Sequence, residues 1–429
     1  MKILFISFVL FSLLSSCSAE QSVVSPVDQT NNDSKIEKAL SDLESLMAMI
    51  HEPESKSYVP KTIRDITSLS ASDFGFSSEQ TKSNDLSEDI LCVVNFNEGG
   101  AAVLGTDYRL SPVIMMLESG EIDPMSLVGV LPNPTPIQYT IDDFYNPETQ
   151  DYYIGNIEGD EVVYPELVRS YIQRMLLHPT SNEDEYTYQL STNAVLPILK
   201  TKWHQEAPFN NKIRKTSISG ERRPIGCTTL ALLQILVANK DIPISLFGVT
   251  NSTWEDLERE KIYDFIDTPE YTQIKDDVAT IALQLADGID VYYNFLFSGQ
   301  TFATPKQVCN YMQEIGYNHA DVVMGFSLSS ILNMLQLNKP VFIGALSGLY
   351  GHAWVIDGFV TRIATHNVTG DELRQMLLHC NWGWEGNSDG YYIPDLFDAE
   401  GFILPDNPAD IDDEDAGFDA SWWYRQIVY

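Results

Sequence analysis

The sequence predicts an α+β protein in which a helix that begins with a cysteine packs on an antiparallel sheet that carries a histidine, behind a separate α+β region. Three observations predict it. Pro224-Ile-Gly-Cys227 opens a strongly apolar helical run, Gly351-His352-Ala-Trp-Val-Ile-Asp-Gly358 reads as a short strand, and residues 35–190 carry their own helical and strand signals.

From the amino terminus, Met1-Lys2 and the apolar run Ile3–Leu14 have signal-peptide length and fall short of a membrane span. The run ends in Leu14-Ser-Ser-Cys17, which resembles a bacterial lipobox. The expectation is a signal of residues 1–16, a Cys17 acylated on its thiol, a polar tether over 17–34, and attachment to a membrane by lipid only. An ordinary cleaved signal is the alternative. Ser34-Lys-Ile-Glu37 has a capping-box pattern and predicts a helix start, continued by Ile36, Leu40, Leu43, Met47 and Ile50. Two strands, Ile90–Phe96 and Ala101–Leu104, flank a glycine turn, and Pro165–His178 reads as an amphipathic helix. The polar run Thr180–Thr192 predicts an exposed loop ending this domain, with a processing site near Tyr188–Ala194.

After Cys227, Leu230, Leu233, Leu236 and Val237 recur near helical spacing, with Ala231, Leu232 and Ile235 widening the face and Pro243 beyond the end. Such a helix belongs in an interior and would hold Cys227 rigidly. Its start offers unpaired N–H groups and the positive end of the helix dipole, which favour a thiolate. Ser329–Leu337 predicts another helix, Pro340–Gly344 a strand, and Ser347-Gly-Leu-Tyr-Gly351 a tight loop leading to His352. In the strand closed by Gly358, His352, Trp354 and Ile356 share one face and Ala353, Val355 and Asp357 the other. A second strand, about Leu373–Trp382, would bring the Asn381 amide oxygen to the imidazole. The acidic tract Asp406–Asp415 is expected as a solvated loop, and Trp422–Tyr424 as core packing.

The order Cys227, His352, Asn381 is that of papain-like cysteine proteases, and Gln205 in Trp203-His204-Gln205 adds an amide able to donate to an oxyanion. These segments, together with Asn381-Trp-Gly-Trp384 and Ser388-Asp-Gly390, resemble the streptopain family of secreted bacterial cysteine proteases. The resemblance implies a papain-like fold behind an inhibitory prodomain (residues 35–190), with a catalytic domain over 191–429. It implies Cys227 as nucleophile, His352 as acid and base, Gln205 as oxyanion donor and Asn381 as the group orienting His352. Trp382, Trp384, Gly351 and Ser347 would contact substrate, with a hydrophobic residue accepted two positions before the scissile bond. Two features depart from the family: Glu385 replaces a usual glycine, and a polar insertion spans Thr361–Glu372.

The expected chemistry is a thiolate–imidazolium pair attacking a peptide carbonyl, without cofactor or metal. Partners would be protein or peptide substrates and the chain's own prodomain. A net charge of −35 argues against nucleic-acid binding, and 44% hydrophobic content over 429 residues suffices for two folded parts. The expected location is the bacterial outer membrane or cell surface. A silent binding or inhibitor protein and a cysteine-dependent transferase or amidase remain as other readings. Of five cysteines, Cys92, Cys309 and Cys380 are expected to be buried, with a Cys309–Cys380 bridge possible.

Overall fold

A computed structural model describes residues 26–51, 61–81, 86–128, 145–146, 148, 151–152, 164–177, 186–215, 220, 222–293, 301–347, 350–366, 368–370, 372–397 and 423–429. The expected signal, Cys17 and the acidic tract lie outside them. Among the described residues, no helix is long and apolar enough to cross a membrane.

The amino-terminal region contributes α1 (Pro26–His51), β1 (Ile63–Ser70), β2 (Asp89–Phe96), β3 (Ala101–Gly105), β4 (Met115–Leu117), α2 (Tyr164–Leu177) and β5 (Tyr186–Val195). The remainder contributes α3 (Cys227–Asn239), α4 (Pro269–Ile289), α5 (Pro305–Ile315), β6 (Asp321–Met324), α6 (Leu328–Gln336), β7 (Val341–Ser347), β8 (Tyr350–His366), β9 (Glu372–Asn381), β10 (Gly390–Tyr392) and β11 (Trp423–Val428). The strands form one eleven-stranded sheet in the order β1-β2-β3-β4-β10-β9-β8-β7-β11-β6, with β5 also paired to β8.

The two regions expected to be separate therefore share a sheet, joined where β4 pairs antiparallel with β10. The sheet separates two cores. Trp354 and Ile356 pack with β1–β4, α1 and α2, while Ala353 and Val355 pack with α3, α4 and α5. The two-residue alternation read from the sequence thus feeds both layers.

Four expectations need correction. Helix α1 starts at Pro26, not at Ser34, so the polar segment expected over 17–34 is helical from residue 26. Proline is well placed in a first turn, and a helix already packed from Leu40 onward extends backward at little further cost. The polar run before Trp203 is partly strand: β5 pairs with Phe359–His366 of β8, and backbone bonding overrides side-chain polarity there. Residues 178–185 lie outside the described set. Third, β8 does not close at Gly358. After a register shift, Phe359-Val-Thr-Arg-Ile363 continues the strand, because β9 lines one edge and β5 the other. Fourth, and for the same reason, the Thr361–Glu372 insertion is largely a hairpin of β8 and β9. Cys309 and Cys380 are reduced and belong to different cores.

Candidate active site

Cys227 is the first residue of α3, and Gly226 caps that helix with φ 93°. Only glycine reaches this region without strain, and a Cβ at Gly226 would meet Thr301 Oγ1 at 2.7 Å. The Gly-Cys pair is therefore a backbone requirement of the turn that delivers the thiol to the helix mouth. Almost all of α3 is buried, so the thiol sits on a fixed mount.

Gln205 is tied to the same turn: its carbonyl accepts from the Ile225 N–H at 3.0 Å, two residues before Cys227. His204, its neighbour, stacks edge-on against Tyr263 with centroids 4.5 Å apart, and its Nε2 lies 3.5 Å from Glu385 Oε1. Burial lowers the His204 pKa, with Glu385 opposing. Glu385 itself has φ 60°, which explains why glycine suits that position and shows how the carboxylate reaches the Trp203–Gln205 segment.

His352 lies on β8 opposite Ala345 of β7. Its Nε2 is 2.8 Å from the Trp382 carbonyl oxygen. A carbonyl can only accept, so Nε2 carries the proton and Nδ1 keeps its lone pair. The ring stacks on Trp384 at 4.5 Å, Trp384 on Trp382 at 5.5 Å, and Trp382 on Trp354 at 4.7 Å. This aromatic column fixes the ring plane. Burial pushes the His352 pKa down to about 4, against the opposing Trp382 hydrogen bond. The imidazole is thus neutral at pH 7 in this form, where the sequence led us to expect an imidazolium paired with a thiolate.

Asn381 also needs correction. Its Oδ1 accepts from Gln234 Nε2 at 3.0 Å and from the Gly383 N–H at 3.2 Å, and its Nδ2 donates to the Thr201 carbonyl at 2.7 Å. The amide is committed to α3 and the Trp203 segment, and the carbonyl of the next residue holds the histidine. Register places Asn381 opposite Val355, three residues along β8 from His352. Trp382 likewise contributes its backbone rather than a lining side chain, which is 1% exposed, whereas Trp384 is partly open. Gly351 pairs with Leu346 beside His352, and Ser347 ends β7. Residues 348–349 between them lie outside the described set.

Sequence reasoning missed Gln234, a buried amide inside the run Leu232-Leu-Gln-Ile-Leu236; a lone polar residue in the apolar stretch Leu230–Ala238 was the available signal. It also missed an ionised cluster behind the site. His379 Nδ1 lies 2.6 Å from Asp357 Oδ1, and Nε2 3.2 Å from Glu118 Oε1. Carboxylates accept, so both ring nitrogens donate and the ring is an imidazolium. Burial opposes that charge, but Asp357 and Glu118 hold the pKa well above the usual histidine range. Asp389, fully enclosed, accepts from the Trp382 N–H at 2.9 Å.

A cysteine on a helix mouth, together with a histidine oriented by a backbone carbonyl beside a tryptophan column, defines a cysteine-type peptidase of the papain-like class. Comparison with known proteins places similarity in the same part of the chain. Residues 203–392 match the Peptidase C10 family, a match consistent with streptopain-like cysteine proteases. Streptopain of Streptococcus pyogenes is 22% identical over 331 residues, covering 72% of this chain and 74% of that protein. Among solved structures, a prointerpain A fragment from Prevotella intermedia is 18% identical, with 79% of this chain and 94% of that one covered at a TM-score of 0.49. Active interpain A of the same organism is 20% identical, covering 58% and 98% at a TM-score of 0.37.

Proposed function

We propose that the chain is an endopeptidase made as a zymogen, exported and anchored by lipid on Cys17, with residues 35–190 acting as its prodomain. The observation that carries the reading is the His352–Trp382 bond, which leaves Nδ1 of the ring as the base, together with Cys227 at the mouth of α3. In the proposed reaction Nδ1 takes the Cys227 thiol proton, and the thiolate adds to a peptide carbonyl. The resulting imidazolium gives its proton to the leaving amine, and water hydrolyses the thioester. Gln205 and the Cys227 N–H are assigned to the oxyanion, each donor being worth about 3 kcal/mol of barrier. Trp384, Gly351 and Ser347 are assigned to substrate contact, with a hydrophobic side chain favoured two positions before the scissile bond.

Two observations support latency of the full chain. Cys227 and His352 are 7% and 6% exposed, so a peptide has little access to either. The match to streptopain is also longer than the 203–392 segment, so similarity continues outside it.

The test is expression without the signal, with Cys227 intact or as Cys227→Ser, following self-processing and labelling by a thiol-directed peptide epoxide. Labelling and peptide cleavage by the processed form alone support the proposal. Labelling without cleavage favours a transferase or amidase. Neither, after removal of the amino-terminal region, favours a binding protein. Export and anchoring are tested by fatty-acid incorporation into the native chain and its loss in Cys17→Ser.

A further inference from the structure

We propose that Glu118 is the latch by which the amino-terminal region is held on the peptidase, and that the buried His379–Asp357 pair is its receptor. The inference rests on the zymogen reading and names the contact that maintains it.

The receptor is built into the catalytic part. Asp357 on β8 is completely buried; its Oδ1 meets His379 Nδ1 and its Oδ2 accepts from the Leu199 N–H at 2.8 Å. His379 on β9 packs edge-on against Tyr391, with centroids 5.0 Å apart. Its second nitrogen points at Glu118, the residue following β4 of the amino-terminal region. Glu118 is seated from several sides. Its N–H donates to the Asp389 carbonyl at 2.9 Å, its Oε2 lies 3.7 Å from Lys202 Nζ, and its carbonyl accepts from Lys61 at 2.7 Å. Next to it, Ser119 Oγ donates to the Gly386 carbonyl at 3.0 Å.

The strand beneath is fitted closely. Leu117, Met116 and Met115 pair with Gly390, Tyr391 and Tyr392, and a Cβ at Gly390 would lie 2.1 Å from the Met116 carbonyl oxygen. The groups facing His379 are thus Asp357 from β8, Glu118 after β4 and Tyr391 from β10, with Asp389 close by and Lys202 and Lys61 around Glu118. Burial would raise the Glu118 pKa, but His379, Lys202 and Lys61 bring it to about 2. Detaching the amino-terminal region must strip a charged, twice-bonded imidazole of one of its two carboxylates, and that loss holds the region down.

The receptor also backs the site. Asp389, whose carbonyl holds Glu118, accepts from the N–H of Trp382, whose own carbonyl orients His352. Release of Glu118 is therefore felt one residue from the group that aims the base.

The experiment compares unprocessed full chain with Glu118→Gln, measuring epoxide labelling of Cys227 and the rate of self-processing. Glu118→Gln should label at least about tenfold faster and process faster, the effect expected of losing a charge-assisted hydrogen bond. The processed enzyme from both should have equal kcat/KM. His379→Gln combined with Glu118→Gln should add little further to the labelling rate. If parent full chain labels as fast as its processed form, the zymogen reading fails. If the parent is latent and a folded Glu118→Gln chain is equally latent, the latch alone fails. Should Glu118→Gln not fold, Glu118→Asp, which withdraws the charge by one methylene, is read by the same two rates.

Discussion

The backbone carbonyl of Trp382 holds the ring of His352, while the side chain of Asn381, one residue earlier, turns to Gln234 of α3. The amide thus ties the sheet to the cysteine helix.

Asn381→Ala should accordingly act mainly on stability. It leaves the Gly383 N–H without this acceptor and Gln234 with Thr201 alone, so we expect a loss of about 1–3 kcal/mol in denaturant unfolding. The acid limb of the kcat/KM profile of processed enzyme should stay in place. A shift of that limb by about one pH unit or more would show that the amide orients the imidazole after all.

Gly390→Ala separates the full chain from the processed enzyme. The added methyl collides with the Met116 carbonyl in the full chain, and we expect about 1–3 kcal/mol of destabilisation there. Processed enzyme, freed of β4, should melt close to its parent. Equal losses in both forms would contradict the proposed boundary.

The two buried histidines set opposite pH dependences. His352 titrates near 4 in the fold and near 6.5 when unfolded. The unfolded chain therefore takes up the proton first, and stability falls as pH drops through that window, by up to about 1.4 kcal/mol per unit. His379 is raised, so its contribution is complete below about 6.5 and is lost as pH climbs through its folded pKa. In a Cys227→Ala full chain, which cannot self-process, thermal melts should lose part of the acid slope on His352→Gln and part of the alkaline slope on His379→Gln. Unchanged slopes would refute these assignments.

Glu385→Gly exchanges a left-handed residue for one that accepts φ 60° freely, at the loss of a half-exposed contact with His204. We expect a net stabilisation of up to about 1 kcal/mol. The His204 pKa should fall further, because the attraction of Glu385 opposes its desolvation; NMR titration reads this directly.

Much of this architecture is legible in local sequence. The Gly226-Cys227 turn, the helix ending before Pro243, the hairpin across Gly99-Gly100, and the β9 strand all follow from periodicity and turn chemistry. What escapes is decided by distant chain. Nothing near Gly358 reveals that β5 and β9 will flank it and carry β8 onward to His366. Nothing near Asn381 reveals that Gln234 will claim its oxygen. Likewise, Glu118 and His379 are unremarkable alone and become a pair only because β4 docks on β10.

The pairing of β5 with β8 has a kinetic meaning for maturation. A peptidase cleft takes its substrate as a lone extended segment, and Tyr186–Val195 is already engaged along a neighbouring strand. On the proposed scission near Tyr188–Ala194, cutting would wait for that stretch to unzip, and the speed of activation would report how often the ribbon peels open more than how much enzyme is present to cut it.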